Sequence, residues 1–337
     1  EDGIRDVAVT GVQTCALPIS IAAHGAVLER HLGRHALSEG AAFTAVNTSL
    51  LRDAAVVLPA AGSASDAPVH LLFVSTARGV PHAVHPRVLV VAARSSRCTV
   101  VEEYMTAGEC AHFTNPVTEI VLDEGATVRH VRLQDEARSA WHVARCVVSQ
   151  QRDSAFSSVS VSLGARLSRL DLEVRQEGAG THTAIDGLAL IDGCQHADTH
   201  TCLDHRQPNG TSTQLHKCIA GGGAHAVFNG RIVVRPGAQL TNSVQSSRNL
   251  LLSPRARVDT KPQLEIFADD VKCAHGATVG QLEADEVFYL RSRGLSEPAA
   301  RRLLTGAFAG EIIERIPVAA LRARVAHGVE SGSGSQP

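Results

Sequence analysis

Between residues 69 and 270 the chain is a succession of short aliphatic and β-branched runs. They are Val69–Ser75, Arg87–Val91, Thr99–Glu103, Val117–Leu122, Thr127–Leu133, Ala155–Leu163, Arg166–Arg175, Ala184–Ile191, Arg231–Val234 and Asn249–Leu252. Gly, Asn, Asp or Pro stands at most of the joints, the punctuation of strands and tight turns. Helical periodicity is scarce, apart from one turn read near Ala137–Ala144. Many strands without crossover helices argue against a doubly wound sheet. The flanks read differently. Ile21, Val27, Leu28 and Leu32 fall near one face of a short helix, Ser38-Glu39-Gly40 breaks it, and Phe43–Leu51 adds a further turn or two. From about 281 the chain is helical again. Glu283–Arg293 is closed by Gly294. A second helix is capped by Ser296, carries Pro298 in its first turn and turns Ala299, Leu303, Ala307 and Phe308 inward. A short piece over Glu311–Ile316 and a helix from Pro317 toward Val325 follow.

A weak repeat runs through the strand-rich part. Gly125-Ala-Thr-Val128, Gly164-Ala-Arg-Leu167, Gly237-Ala-Gln-Leu240 and Gly276-Ala-Thr-Val279 share a pattern, and Pro254-Arg-Ala-Arg-Val258 is a degenerate copy. The spacings are 18 from Pro236 to Pro254, 21 from Pro254 to His275 and 39 from Gly125 to Gly164, near one or two units of ~20 residues, the size of a coil of three short strands. The pattern favours a β-solenoid, each coil stacking its aliphatic face on the next, over a two-sheet sandwich.

Composition narrows the function. The 337 residues carry 32 Lys+Arg against 34 Asp+Glu, so there is no long-range pull on nucleic acid or an anionic membrane. At 44% hydrophobic and 20% charged the chain folds, and no apolar run approaches the ~20 residues of a membrane span. With aromatics at 3%, the core is aliphatic. Eight Cys are too few for a disulfide scaffold, and without a secretory signal the expectation is free thiols in a reducing cytoplasm. The stretch Val9–Ser20, VTGVQTCALPIS, reads like a translated sequencing adapter. Residues 1–20 are therefore set apart as a leader. The expected organisation is then an N-terminal helical region (21–67), shortened at its start, a β core (68–280), a C-terminal helical domain (281–328) and a flexible Ser/Gly tail (329–337).

Two clusters carry candidate chemistry. Cys194, His196, His200, Cys202 and His205 offer thiols and imidazoles, a donor set that can hold zinc, although their spacing matches no standard zinc pattern. The plainer reading is polar residues along one strand face, since 196, 198, 200 and 202 alternate to one side. Cys273 and His275, two apart on an extended segment, share a face and suit iron or a nascent iron–sulfur species. They are only two ligands, so a partner chain would supply the rest. Gly221-Gly222-Gly223 lacks the Gly-Lys-Ser/Thr of a phosphate loop and reads as a turn. Asp269 and Asp270, adjacent on a strand, point to opposite faces and make no shared acid–base site.

From residue 226 onward the sequence resembles the SufB/SufD family, subunits of the Suf iron–sulfur cluster assembly machine. The resemblance rests on Phe228-Asn-Gly-Arg-Ile232, on QSSRNLLL (245–252) and above all on KPQLEIFADDVKCAHGATVG (261–280). It extends upstream through HPRVLVV (85–91), NPVTEIVL (115–122), HADTHTCLDH (196–205) and FTAVNTSLL (43–51). The Asp269–Gly280 string is similar to the SufD branch. The resemblance implies a mainly β fold: a right-handed parallel β-helix core between a short N-terminal helical region and a C-terminal helical domain. It implies a cytoplasmic, non-catalytic scaffold that pairs with a SufB-like subunit, docks a SufC-like ATPase through its C-terminal helices, and shares a transient iron–sulfur cluster at the subunit interface. His275 matches the histidine implicated at that interface, as ligand or proton carrier, and Cys273 its neighbouring cysteine. Phe288, Tyr289, Arg291 and Arg293 are candidates for the ATPase contact, against ordinary helix packing. The rival readings are a SufB-like core scaffold and a β-helix carbohydrate-active enzyme.

Overall fold

The computed structural model describes residues 12–76 and 80–331. Two sheets are built from alternating strands. One runs β1 (Val12–Ala16), β2 (Ala55–Pro59), β5 (Arg87–Ala92), β8 (Val117–Leu122), β10 (Trp141–Gln150), β12 (Leu167–Gln176), β14 (His196–His205), β16 (His225–Val234) and β18 (Arg257–Ile266), with the short β4 (His82–Val84) and β7 (His112–Thr114) alongside. The other runs β3 (Val69–Thr76), β6 (Arg97–Ala107), β9 (Thr127–Asp135), β11 (Ala155–Ser162), β13 (His182–Ile191), β15 (Thr211–Ala220), β17 (Thr241–Leu251) and β19 (Val271–Gln281). Every neighbour pair is parallel except β1 with β2. Leu167 lies opposite His196 and His196 opposite His225, so the chain climbs one coil in roughly 30 residues. This is the β-solenoid rather than the sandwich. The coil is longer than the expected unit because each turn holds two long strands, one per sheet, instead of three short ones. The segment near Ala137–Ala144 is not helical. It is a tight turn, closed by Ala140 N–H donating to Ala137 O, followed by β10.

The coils are stapled at a corner whose conformation explains the spacing. Gly62, Ser95, Gly125, Asp153, Gly180, Asn209 and Leu240 all have φ between 56° and 70°. Each donates its N–H to the carbonyl just before the matching corner of the next coil: Gly62 to Arg94, Ser95 to Glu124, Gly125 to Arg152, Asp153 to Ala179, Gly180 to Pro208, Asn209 to Gln239 and Leu240 to Asp270, at 2.7–3.1 Å. The left-handed region favours Gly, Asn and Asp, which are most of this column. The next residue turns inward and is small: Ser96, Ala126, Ser154 and Thr181 are each at most 1% exposed.

The aliphatic core lies between the sheets, with Val90, Val100, Ile120, Val128, Val148, Leu172, Leu203 and Ile232 among its buried members. Helices cover part of both outer faces. Among the C-terminal helices, α3 (Ala284–Ser292), α4 (Glu297–Ile313) and α5 (Ala319–Ser331), the last two press Ala309, Ile312, Ile313, Leu321 and Val325 onto Val131, Val161, Leu188, Leu215 and Ile219 of the second sheet. Lys217 to Glu311, Arg315 to Asp186 and Arg324 to Glu103 add ion pairs across that seam. On the first sheet, α1 (Leu17–His31) and α2 (Ala42–Ser49) sit over the early coils, Leu28 packing with Val56 and Leu89. Glu119, fully buried on β8, accepts the backbone N–H groups of Gly33, His35 and Ala36 at 2.8–2.9 Å and the Arg87 guanidinium at 2.6 Å. With both faces covered, β8 is buried at all six positions.

Three boundaries differ from expectation. Strand stacking begins at Ala55, inside the stretch read as helical. Residues 12–20, set apart as leader, contribute β1 and the start of α1. Glu311–Ile313 belong to α4 rather than to a separate helix, and α5 continues to Ser331. The leader residues 1–11 and the tail from 332 lie outside the described residues.

Candidate functional site

The last coil leaves one end of the solenoid open. Strands β18 and β19 each pair on one side only among the described residues, β18 with β16 and β19 with β17. Side chains alternate along β19, so Val271, Cys273 and His275 share one face. The partners fix which face it is. Cys273 lies opposite Ser243 and His275 opposite Gln245, both buried and inward-pointing on β17. His275 therefore stands on the interior face of the solenoid, yet it is exposed because no further coil among the described residues caps it. Cys273 is half-buried against the aliphatic core; burial pushes its thiol up and a backbone hydrogen bond with Ser243 pulls it back. Around this pair the end displays Ile266, Phe267 and Val279, each more than 40% exposed, with Lys261 and Lys272 on the two end strands. Unpaired strand edges beside exposed apolar side chains are a template for pairing with another chain. Among the described residues no three His, Cys, Asp or Glu side chains gather as a metal set, and at this end only the Cys273 thiol and the His275 imidazole share a face.

The 194–205 cluster divides. His196, Asp198, His200 and Cys202 do alternate to the outer face of β14, but each is engaged in a polar ladder. Asp198 takes His200 at 2.8 Å and Arg169, the Arg231 guanidinium reaches the Cys202 sulfur at 3.5 Å, and His196 rests edge-on against His225, which bonds Asp259 at 2.7 Å. His205 faces inward, wholly buried, 3.0 Å from Ser212 Oγ, and burial lowers its pKa to about 4. Cys194 lies exposed in the preceding turn. The arrangement is a strand face with its ion pairs, not a convergent ligand set. Gly221-Gly222-Gly223 is a turn between β15 and β16, as its sequence suggests.

At the C-terminus α3 and α4 enclose an open groove of about 520 Å³, lined by Asp285, Glu286, Tyr289, Leu290, Leu303, Leu304 and Ala307. Leu303 and Ala307 were expected inward. They face this groove instead, Leu303 being 53% exposed, because Ala300, Thr305, Ala309 and Ile312 form the buried face of α4. Of the four partner-contact candidates, Tyr289 lines the groove and Phe288 beside it is 71% exposed. Arg293 lies over the Tyr289 ring at 5.2 Å, and Arg291 reaches Glu297 at 3.6 Å. The helix carries only one buried residue, Val287, so α3 is held mainly through α4.

Sequence reading missed a buried polar file in the early coils. Glu102 accepts hydrogen bonds from Tyr104 (2.5 Å), Thr118 (3.0 Å) and His130 (3.0 Å). Glu136 accepts from Thr114 (2.5 Å), His112 (3.2 Å) and His142 (2.6 Å), and Arg132 donates to His142 at 2.5 Å. Burial alone would raise the pKa of Glu136, but the His142 and His112 imidazoles and Thr114 hold it well below the usual carboxylate range. These residues come from β6, β7, β8, β9, β10 and the turn after β9. Their only sequence signal is Glu, His and Arg at inward positions of otherwise aliphatic strands.

The chain is similar to known proteins. The family profile described as "SUF system FeS cluster assembly, SufBD core domain" matches residues 73–308. An iron–sulfur cluster assembly SufBD family protein of Synechocystis is 42% identical over 321 residues, 93% of this chain and 71% of that protein. The chloroplastic protein ABCI7 of Arabidopsis thaliana is 37% identical over 82% of this chain and 60% of its own length. The iron–sulfur cluster assembly protein SufD of Escherichia coli is 36% identical over 69% of this chain, which spans 55% of that protein's length.

Proposed function

The chain belongs to the SufB/SufD family of the SUF iron–sulfur cluster assembly system, and on that premise we propose that it is a non-catalytic scaffold subunit whose open solenoid end pairs with a SufB-like chain. The observation that carries this reading is the last coil, where an unpaired edge, an apolar rim and His275 coincide. Edge-to-edge pairing with a related solenoid would satisfy the open backbone groups of β18 and β19 and remove Phe267 and Val279 from water. It would also bring His275, with Cys273 behind it, to the junction. There a partner's thiolates would complete a ligand set for nascent iron–sulfur cargo. Being exposed, His275 is accessible to such cargo.

The α3–α4 groove supports docking of a SufC-like ATPase. It is apolar in its floor and has Asp285 and Glu286 in its lining, with Phe288, Arg291 and Arg293 displayed nearby. The ion pairs from Glu311, Arg315 and Arg324 tie α4 and the segment through α5 to β15, β13 and β6. A displacement imposed at the groove would thus act on strands of the second sheet, whose last member carries His275.

Co-expression with SufB-like and SufC-like chains and affinity capture of this subunit tests the reading, with a second form ending at Gln281. The expected result is recovery of both partners by the whole chain and loss of the ATPase alone on truncation. Capture of neither partner by the whole chain would overturn it. In the assembled complex, unchanged cluster formation with His275→Ala would remove the ligand role of His275.

A further inference from the structure

A half-buried thiol lies at the outer end of the buried polar file. Cys110 precedes β7, and its Sγ is 3.6 Å from His112 Nδ1. The same nitrogen is 3.2 Å from the Cys110 carbonyl oxygen. On the other side of the ring, Nε2 faces Glu136 Oε1 at 3.2 Å and Thr106 Oγ1 at 3.4 Å. Glu136 is fixed in turn by Thr114, Gln134 and His142. This is thiol, imidazole and buried carboxylate in series, the arrangement that activates a sulfur nucleophile. The carboxylate orients the ring and stabilises its protonated form; the ring then holds positive charge beside the sulfur.

From this geometry we infer that Cys110 is an activated thiol that takes up sulfur electrophiles by thiol–disulfide exchange. The inference stands on these side chains alone and does not depend on the scaffold reading. Cys110 gives its proton to His112 Nδ1 and its thiolate attacks one sulfur of a low-molecular-weight disulfide. A Cys110–sulfur bond forms, the original S–S bond breaks, and the departing thiolate takes the proton from His112. Cys110 is oxidised and the departing thiol is the reduced product, so no other redox partner is required. The groups that face His112 agree with a stabilised imidazolium. Glu136 on the following turn raises its pKa, burial opposes this, and the Cys110 carbonyl supports it. The His82 ring of β4 stacks on it at 5.5 Å, and His142 of β10 is hydrogen-bonded to Glu136 as the donor.

The contrast within the chain is Cys194, an exposed thiol in a turn. Glutathione disulfide is incubated with the full chain at pH 6 and pH 9, and mixed disulfide at each cysteine is followed by mass spectrometry of digested, quenched samples. At pH 6 Cys110 is expected to react about tenfold faster than Cys194, and the two rates to converge at pH 9. His112→Gln is expected to slow Cys110 about tenfold at pH 6, to leave its pH 9 rate nearly unchanged, and not to touch Cys194. A Cys110 rate at or below that of Cys194 at pH 6 would overturn the inference. So would a His112→Gln loss that is the same at both pH values, since a merely structural role slows exchange at every pH. If the variant fails to fold, the pH profile of the unaltered chain decides.

Discussion

At the scale of single residues, the fold depends on places where a side chain has no room or no water. Gly164 is one. A Cβ there would lie 2.1 Å from the Glu136 carbonyl oxygen and 2.4 Å from its amide nitrogen, so the backbone itself must shift to admit Ala. Gly164→Ala is expected to cost about 1–3 kcal/mol or more, read from the midpoint of urea unfolding. Three of the four Gly-Ala sequences that look alike thus do different jobs. Gly125 is a left-handed corner, Gly164 answers a close approach, and Gly276 lies in mid-strand with open space around it. The inward histidines set the acid limit. Burial lowers His205 to about 4 and His216, stacked on Phe228 at 4.4 Å, to about 3, from 6.5. Folded pKa values below the unfolded value mean that the unfolded chain binds the proton first. Stability is therefore full above pH 6.5 and falls with acid, reaching its floor near pH 4 for His205 and pH 3 for His216. Each group contributes a slope of about 1.4 kcal/mol per pH unit within its window. His205→Gln should remove one such slope between pH 6.5 and about 4 in urea titrations; an unaltered pH dependence would contradict this.

At the scale of elements, the strands were legible where one run is aliphatic and ends in a turn residue, as in Val117–Leu122, which is β8 to the residue. They were not legible where buried positions are polar. Thr211–Ala220 carries Gln214, His216 and Lys217, all buried, and so lacks the alternation that marks a strand. The coil length was misjudged for a related reason: the repeat lies in backbone conformation at the corners, where Gly, Ser, Asp, Asn and Leu all occur, so no residue pattern repeats cleanly. The face of α4 was misread because Ala299, Leu303 and Ala307 are apolar too, and line a groove. Cys273 and His275 were readable from their motif, whereas their position on an uncapped interior face depends on which coil is last. Two elements are pinned by buried charges. Removing Glu119 takes the counter-charge from buried Arg87, which keeps only Asn47 and Thr48, and leaves three backbone N–H groups unpaired, so Glu119→Ala should cost about 3–5 kcal/mol and open residues 33–49 to proteolysis. Lys217→Met should loosen α4. The Lys217 ammonium bonds Phe308 O at 2.8 Å and Glu311 at 2.6 Å and lies 4.3 Å from the Phe308 ring centroid, and its loss is expected to speed amide exchange in 305–313 before it alters the strands.

At the scale of the whole molecule, the two outer faces of the solenoid are partly covered and its two ends are unlike. Helices α1 and α2 lie over the early coils, α4 and α5 over the second sheet, and the last coil is bare. A long, partly apolar strand edge is a hazard for an isolated protein and an asset for one arm of a complex. We propose this edge as the place where the chain meets a SufB-like partner. Hydrogen–deuterium exchange of the chain alone and in complex with that partner tests it most directly. Strong new protection is expected for the amides in Arg257–Ile266 and Val271–Gln281, with those of the early coils unchanged. Complex formation that leaves both strands exchanging as in the free chain would contradict it.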